Sequence, residues 1–198
     1  MEKPFKRRIK FMRQERIMER AADLRNKFVS DHKPIDIRNL LEGGLKQLVP
    51  KFDWIVGDDE KFEGVADAEA YVDFSNYPRL VLRENTYEDL YQATGTRLSQ
   101  VRFILAHEFG HVMLHSRSKV RLPRRKIGSS EQYRHNVSLE FEANIFAGSL
   151  LVPTTGVAQG MDANTIALRY QTSQSVAVQC EKECRDYKRI VSLREKLK

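Results

Sequence analysis

The segment RFILAHEFGHVMLH, residues 102–115, restricts the fold of this chain more than any other segment does. On a helix its apolar side chains would occur around the whole circumference: Phe103, Ile104, Leu105, Ala106, Phe109, Val112, Met113 and Leu114. A helix that is apolar on every side belongs in the middle of a hydrophobic core. The sequence therefore predicts a central helix that carries two histidines and a glutamate into the interior.

The spacing of those three residues is typical of a metal site. His107 and His111 are four residues apart, so on a helix they project from one face, about 6 Å apart along the axis. Two such imidazoles can bind one ion at about 2.0–2.1 Å. Glu108 is offset from His107 by about 100° around the axis, where a general base for metal-bound water is needed. The alternative is a core helix with hydrogen-bonded histidines. In that case no metal ion compensates the free energy that burial of three ionisable groups costs.

A third metal ligand is predicted on the helix SLEFEANIFAGSLLVP. One face of that helix consists of Glu140, Ala143, Asn144, Ala147 and Leu151. The two alanines would let this helix approach the histidine helix closely, so that Glu140 would point at the ion. Asn144 could accept a hydrogen bond from a ligand histidine. Glu142 lies on a different face and is the weaker candidate, and the alternative for Glu140 is an ordinary surface position.

His115 is excluded as a joint ligand. It would lie about 12 Å along the helix axis from His107, too far for one ion to bind both side chains. We expect His115 at the end of the helix, where a histidine complements the C-terminal dipole.

Three segments alternate with a period of two residues or run apolar, and they are read as strands: 52–56, 62–74 and 79–84. Turn-forming residues separate them, so three antiparallel strands are the simplest interpretation. Because helical patterns flank these segments, the sequence predicts an α+β fold. In that fold the antiparallel sheet packs on the helices that carry the histidines and Glu140.

The predicted organisation has three parts. Residues 1–33 form a basic N-terminal helical segment, residues 34–153 form the core, and residues 154–198 form a C-terminal helical region. In this last region two helices flank QTS, which is the spacing of a helix-turn-helix. Residues 116–136 are polar, basic and rich in turn formers, so they are expected to form an exposed loop.

The net charge of +7 is concentrated in two places. Residues 1–33 hold eleven Lys and Arg against five acids, and residues 117–126 hold six basic residues and no acid. Such clusters attract nucleic acid, acidic protein segments or membrane surfaces. The second cluster falls between the histidines and Glu140, and its members Arg121, Arg124 and Arg125 are the candidates for binding a partner. The alternative for both clusters is a solvated face that maintains solubility.

The sequence favours a cytoplasmic protein with no membrane segment. No run approaches the roughly 20 apolar residues of a membrane helix, and the charged N-terminus lacks the apolar stretch of a signal peptide. Cys180 and Cys184 are four apart on a predicted helix, where a disulfide without strain is not expected. They are predicted to be reduced.

The two helical motifs together resemble the ImmA/IrrE family of bacterial and phage zinc metallopeptidases. The family pattern is RFTLAHELGHxLLH, followed by ExxAN or ExxAD and FAxxLLMP, and the likeness covers about residues 60–180. It implies a zincin-like core, one zinc ion on His107, His111 and Glu140, and catalysis by Glu108. Val152 replaces the usual Met, and the basic segment 1–33 has no known counterpart in the family.

The resemblance also implies a selective function. Characterised members cleave or inactivate repressors that carry an XRE-type helix-turn-helix, and thereby switch on mobile-element transfer or DNA-damage genes. Others lie beside such regulators in phage or toxin–antitoxin-like operons. An XRE-type repressor is therefore the expected substrate or partner of this chain.

Two other functions are compatible with the sequence. One is a regulator that binds DNA or a repressor and has a structural or vestigial metal site, as the charge and the helix-turn-helix spacing suggest. Against it, structural zinc sites fill four positions with protein ligands, often Cys, and no Cys lies near HExxH. The other is a peptidase of short peptides or of cell wall, against which the missing export signal argues.

Overall fold

A computed structural model describes residues 12–30, 32–63, 65–115 and 130–196, with the backbone alone for 130–137. The chain has a mixed α+β fold. Its helices are α1 (Gln14–Arg25), α2 (Ile37–Asn39), α3 (Leu45–Leu48), α4 (Glu84–Gln92), α5 (Gly95–His115), α6 (Ser130–Leu151), α7 (Ala163–Tyr170) and α8 (Gln174–Glu195). Its strands are β1 (Asp53–Gly57), β2 (Ala70–Asp73) and β3 (Arg79–Arg83). A π-helical turn, Leu40–Gly44, joins α2 to α3, and a 3₁₀ turn, Asp59–Phe62, follows β1.

The sheet within the described residues has the order β1-β3-β2 and is mixed, so the prediction of three antiparallel strands is wrong. β2 and β3 are antiparallel, with Val72 opposite Leu80, whereas β1 and β3 are parallel, with Ile55 opposite Val81. A short turn joins β2 to its neighbour β3. The longer connection after β1 leads to β2, which lies at the opposite edge of the sheet from β1. Alternation along one strand identifies a strand but not the direction of its partner.

The histidine helix α5 is central, as its apolar circumference predicts. It packs against α6, β2 and α4, and five of its apolar side chains are fully buried: Val101, Leu105, Ala106, Phe109 and Val112. Gly95 begins α5 with φ of +56°, a left-handed conformation that separates this helix from α4. The α5 and α6 helices together form the layer that holds the predicted site residues.

Helix α6 begins earlier than expected. Its backbone is helical from Ser130, so the last part of the predicted loop 116–136 is helix. The helix ends at Leu151, before Pro153, as predicted. Residues 116–129, with Arg121, Arg124 and Arg125, lie outside the described residues.

One hydrophobic cluster extends from α1 to α8. It includes Ile17 of α1, Leu105 of α5, Phe146 of α6 and Ala177 of α8. The predicted parts 1–33, 34–153 and 154–198 thus contribute to a shared core, and their boundaries stay a prediction. The described helices include none that is long and apolar enough to cross a membrane.

Arg25, the last residue of α1, is fully buried and joins three parts of the chain. Its Nη1 atom donates to the carbonyl oxygens of Leu150, at 3.0 Å, and Leu151, at 3.1 Å. Its Nη2 atom donates to the carbonyl of Lys33, and the guanidinium carbon is 5.5 Å from the ring centroid of Tyr170. Arg25 therefore satisfies carbonyls at the C-terminal end of α6, which have no partner within the helix.

The tail forms the two predicted helices, α7 and α8, around residues 171–173. Cys180 and Cys184 are buried free thiols on α8. Between them lies Glu183, whose carboxylate is 2% exposed. Burial raises the pKa of Glu183 from 4.5 to about 7. A hydrogen bond from Gln179 favours the ionised form and acts in the opposite direction.

Replacement of Glu183 with Gln is expected to stabilise the fold at pH 8. Because the pKa of Glu183 is higher in the folded state, between about pH 4.5 and 7 the folded protein holds a proton that the unfolded chain has lost. At pH 8 the carboxylate is ionised in both states, and the folded protein bears the cost of a buried charge. Wild-type stability should therefore fall as pH rises from about 4.5 through 7, at a full cost of up to about 3 kcal/mol. Urea denaturation at pH 4 and pH 8 measures the difference. Glu181→Gln, a partly exposed position on α8, is the matched control, and an equal effect of both changes would contradict the prediction.

Candidate metal centre

Small residues bring α5 and α6 into backbone contact. A Cβ atom at Gly110 would lie 3.1 Å from the Cα and carbonyl oxygen of Ala143, and 3.2 Å from the Cβ atom of Phe146. Ala143 and Ala147 are fully buried, in agreement with the close approach predicted from the two alanines. The helices can therefore lie near enough for a side chain of α6 to reach the histidines of α5.

Three of the predicted site residues converge on one point. Nε2 of His107 is 3.1 Å from Nε2 of His111 and 3.0 Å from Oε2 of Glu140. Oε1 of Glu140 is 3.5 Å from Nε2 of His111. Among the described residues, these three side chains form the group whose donor atoms lie close enough to share a metal ion, all within 4.8 Å of one another.

The donor set fits a tetrahedral zinc ion in size and in chemistry. Ligand atoms at about 2.0–2.1 Å from a tetrahedral ion are separated by about 3.3 Å, and the three measured separations lie on either side of that value. Two imidazoles and one carboxylate are a common donor set of catalytic zinc sites, in which a fourth position stays open. The side chain of Glu140 is 54% exposed, so the group opens to solvent on one side.

Asn144 orients one of the two imidazoles. Its Oδ1 atom is 2.9 Å from Nδ1 of His107. An N–H group on Nδ1 donates to this amide oxygen and leaves the Nε2 lone pair for an ion. Nδ1 of His111 has no such partner within the part of the chain that the structure describes. The position of Asn144, one turn after Glu140, is the one expected from the helical face.

The charges of the group favour a cation at its centre. Burial opposes a charge on His107, but a hydrogen bond with Glu140 and the charges of Glu108 and Glu140 raise its pKa above the ordinary value. Burial also opposes ionisation of Glu140, yet hydrogen bonds with His107 and His111 hold its pKa well below its usual range. A proton and a metal ion would compete for these donors, so metal binding should weaken in acid.

Glu108 stands beside the group but is not part of it. The residue is 8% exposed, and the backbone of Val72 on β2 lies near enough to its carboxylate to favour the ionised form slightly. Burial raises its pKa, although the nearby histidines act in the opposite direction. The carboxyl group is thus held next to the histidines with an increased affinity for a proton, which suits a group that accepts and returns one.

His115 and Glu142 form a separate pair. Nε2 of His115 is 3.9 Å from Oε2 of Glu142, and both side chains are buried. Oε1 of Glu142 accepts a hydrogen bond of 2.9 Å from the backbone N–H of Met12. The ring of His115 lies beside that of His111, with 5.5 Å between the ring centroids, but neither His115 nor Glu142 belongs to the donor group of His107, His111 and Glu140. This agrees with the exclusion of His115 and the lower ranking of Glu142 from helix geometry.

Sequence reasoning missed two features of the site. One is Gly110, whose position between Glu108 and His111 could have indicated close packing of two helices. The other is the backbone of Val72, which contacts Glu108 through the fold and has no signal of its own in the sequence.

A family model matches the part of the chain that contains this group. Residues 69–179 match the sequence model of the Peptidase_M78 family, described as an IrrE N-terminal-like domain. This segment extends from just before β2 into α8 and contains all three donors and Glu108. No curated protein matches the chain.

Proposed function

Since the chain belongs to the Peptidase_M78 family, we propose that it is a zinc-dependent endopeptidase with a zincin-like core, which cleaves an XRE-type repressor. In this proposal His107, His111 and Glu140 bind one zinc ion. Glu108 is the catalytic base, and Asn144 positions His107. The family suggests a metallopeptidase-like domain, and the choice of a repressor as substrate derives from the resemblance of the sequence motifs.

The observation that carries the proposal is the convergence of two Nε2 atoms and a carboxylate from two helices. The separations of these donor atoms, 3.0–3.5 Å, fit one ion. Glu108 follows His107 directly on α5. Three protein ligands leave one position for water or substrate, whereas a structural site would fill it. The exposed side of Glu140 provides the approach.

The proposed chemistry divides between the ion and the side chains. A zinc ion held by the three donors would polarise the scissile carbonyl and make water a nucleophile near neutral pH. Glu108 takes a proton from the attacking water and returns it to the amine of the leaving peptide. The backbone of Val72 lies beside the carboxylate of Glu108. Asn144 keeps His107 in the tautomer whose Nε2 lone pair is available to the ion.

Substrate selection is proposed to involve the basic cluster 117–126. In the sequence this cluster falls between the histidines of α5 and Glu140 of α6, and its charge suits an acidic surface on a repressor. Arg121, Arg124 and Arg125 are the residues proposed to bind that surface.

The test is incubation of the purified chain with XRE-type regulators of the same genome, beginning with any that is encoded beside its gene. Discrete fragments that depend on zinc and disappear with a chelator are expected, and fragments that persist after zinc removal would contradict the metal assignment. The Arg121→Glu, Arg124→Glu, Arg125→Glu variant is expected to cleave the regulator more slowly. Unchanged cleavage and unchanged binding of the regulator by that variant would exclude the basic cluster as the contact.

Replacement of Asn144 with Leu is expected to reduce zinc affinity about 10–100-fold, because His107 loses the acceptor that orients it. Competition with a chromogenic chelator measures the change without any substrate. Asn164→Leu, at an exposed position on α7, provides the matched control. Equal zinc affinity in the two variants would show that Asn144 does not position the ligand.

The net charge of +7 and the tail helices α7 and α8 favour a second candidate, a regulator that binds DNA. Gel shifts with generic duplex across a range of salt concentrations discriminate between the two. Binding through phosphates weakens steeply as salt increases. A steep salt dependence without cleavage of the regulator would support the second candidate over the first.

A further inference from the structure

A cavity of about 670 Å³ lies between α5, α6 and α8, next to the proposed metal centre. Its walls are mainly apolar, and include Phe103, Ile104, Ile145 and Val176. Asn144 lines it as well, and this is the residue whose amide contacts His107. The cavity therefore adjoins the proposed metal centre through Asn144.

An acidic side chain is buried in the cavity wall. Glu183 lines the cavity and is 2% exposed. Its Oε1 atom accepts a hydrogen bond of 3.0 Å from the amide of Gln179, an exposed residue that also lines the cavity. Its Oε2 atom has no hydrogen-bond partner among the described residues. A buried carboxylate oxygen without a partner is costly, so a donor that reached it would be bound favourably.

The position of Glu183 determines how long a ligand side chain must be to reach its carboxylate from the metal centre. Gly148 lines the cavity, and a Cβ atom there would lie 3.4 Å from Oε2 of Glu183. Gly148 follows Asn144 by one helical turn, which is about 6 Å along the axis. The carboxylate is therefore about one turn further from the metal centre than the amide of Asn144 is. Side chains with three or four methylenes and a charged end have this kind of length.

The acidic residues of the cavity wall favour a ligand side chain with a positively charged end. The described residues that line it include two acids, Glu69 and Glu183, and no Lys or Arg. Glu69 is already paired with Arg97, at 2.7 Å. Of these two acids, Glu183 is the one for which no ion pair is found within the described part of the chain, and the net charge of the chain is +7.

We propose that this cavity is a specificity pocket that takes an arginine or lysine side chain of the substrate, with its cation on the carboxylate of Glu183. The proposal rests on the peptidase function proposed above. The alkyl stem packs on Phe103, Ile104 and Ile145, while the charged end displaces the amide of Gln179 from Oε1. Arginine is the better ligand of the two, because a guanidinium is less strongly hydrated and can donate to both carboxylate oxygens.

Binding of a single residue tests the pocket without catalysis. The full-length protein, with isotope-labelled isoleucine methyl groups, is titrated with N-acetyl-arginine amide and with N-acetyl-citrulline amide, which has nearly the same shape and no charge. Saturable shifts of Ile104 and Ile145 are expected, with at least tenfold tighter binding of the arginine compound. Glu183→Gln should remove this preference, and Glu181→Gln, on the same helix, should keep it. Equal binding of the two compounds, or an unchanged preference in Glu183→Gln, would overturn the proposal.

Cleavage of a mixed peptide library separates this proposal from the proposed function. Wild-type protein with zinc should enrich Arg and Lys at one fixed position relative to the cleaved bond. Glu183→Gln should lose the enrichment and still cleave other sequences. Cleavage by wild type without any basic preference overturns the pocket and leaves the peptidase intact. Preferential binding of arginine with no cleavage of library or regulator supports a basic-ligand pocket and contradicts the peptidase.

Discussion

Replacement of Glu108 with Gln is expected to abolish cleavage of the regulator while the protein keeps its fold and its zinc. Gln has nearly the same shape and keeps one acceptor oxygen beside the backbone of Val72, but it cannot take a proton from water. General acid–base catalysis contributes about 10²–10⁴-fold to a rate, and in the proposed mechanism one residue serves as both base and acid. A loss of at least about 10³-fold is therefore expected.

The measurement combines a cleavage rate with a metal analysis of the same preparation. One zinc ion per chain is expected in both proteins. Glu88→Gln, an exposed glutamate on α4, controls for the loss of a negative charge. Wild-type cleavage by the Glu108 variant would show that another group is the base. Loss of zinc together with activity would show instead that Glu108 has a part in holding the ion.

Replacement of Arg25 with Met is expected to destabilise the fold by about 3–5 kcal/mol. Met has a similar length and removes the donors, so the carbonyls of Leu150, Leu151 and Lys33 lose their partner inside the protein. The contact with the ring of Tyr170 is lost as well. Since domains are stable by only about 5–15 kcal/mol, this change would remove a large part of the total.

Urea denaturation followed by circular dichroism measures the effect of the Arg25 change. Arg20→Met, at an exposed position on the same helix, should change stability by less than about 0.5 kcal/mol. Arg25→Lys should fall between the two, because an ammonium group cannot hold three separate carbonyls with the geometry of the guanidinium. A loss below about 1 kcal/mol in Arg25→Met would mean that water replaces the missing donors.

The site was more predictable than the sheet. The apolar circumference of residues 102–115 predicted the central helix, and the four-residue spacing of His107 and His111 predicted a shared face. The positions of Glu140 and Asn144 on the next helix followed from the same periodicity. The structure brings all four side chains together, and the match to Peptidase_M78 confirms the family that these motifs resemble. Helical spacing works here because neighbours on a helix are only three or four residues apart in the chain.

The sheet was partly mispredicted because strand pairing is not local. Alternation in 79–84 identified β3, but nothing in that alternation reports that β1 lies beside it in parallel. The segment 62–74 was expected to be one long strand and is a strand only over Ala70–Asp73. The pairing is decided by which edge the chain reaches after each turn, and this depends on the packing of the whole sheet.

By itself, then, the sequence predicted which side chains meet at the site, His107, His111 and Glu140, with Glu108 beside them, and it predicted the family. Only the tertiary structure decided what surrounds them. It buries Arg25 under the end of α6 and Glu183 at the side of a cavity, although both residues have the charge and the helical position of surface residues. The physical reason is that the site residues on each helix are four positions apart, so the sequence alone shows that they share a face. The environment of Arg25 and Glu183 depends on which separate segments pack against them, such as the end of α6 against Arg25, and these segments meet only when the core is packed.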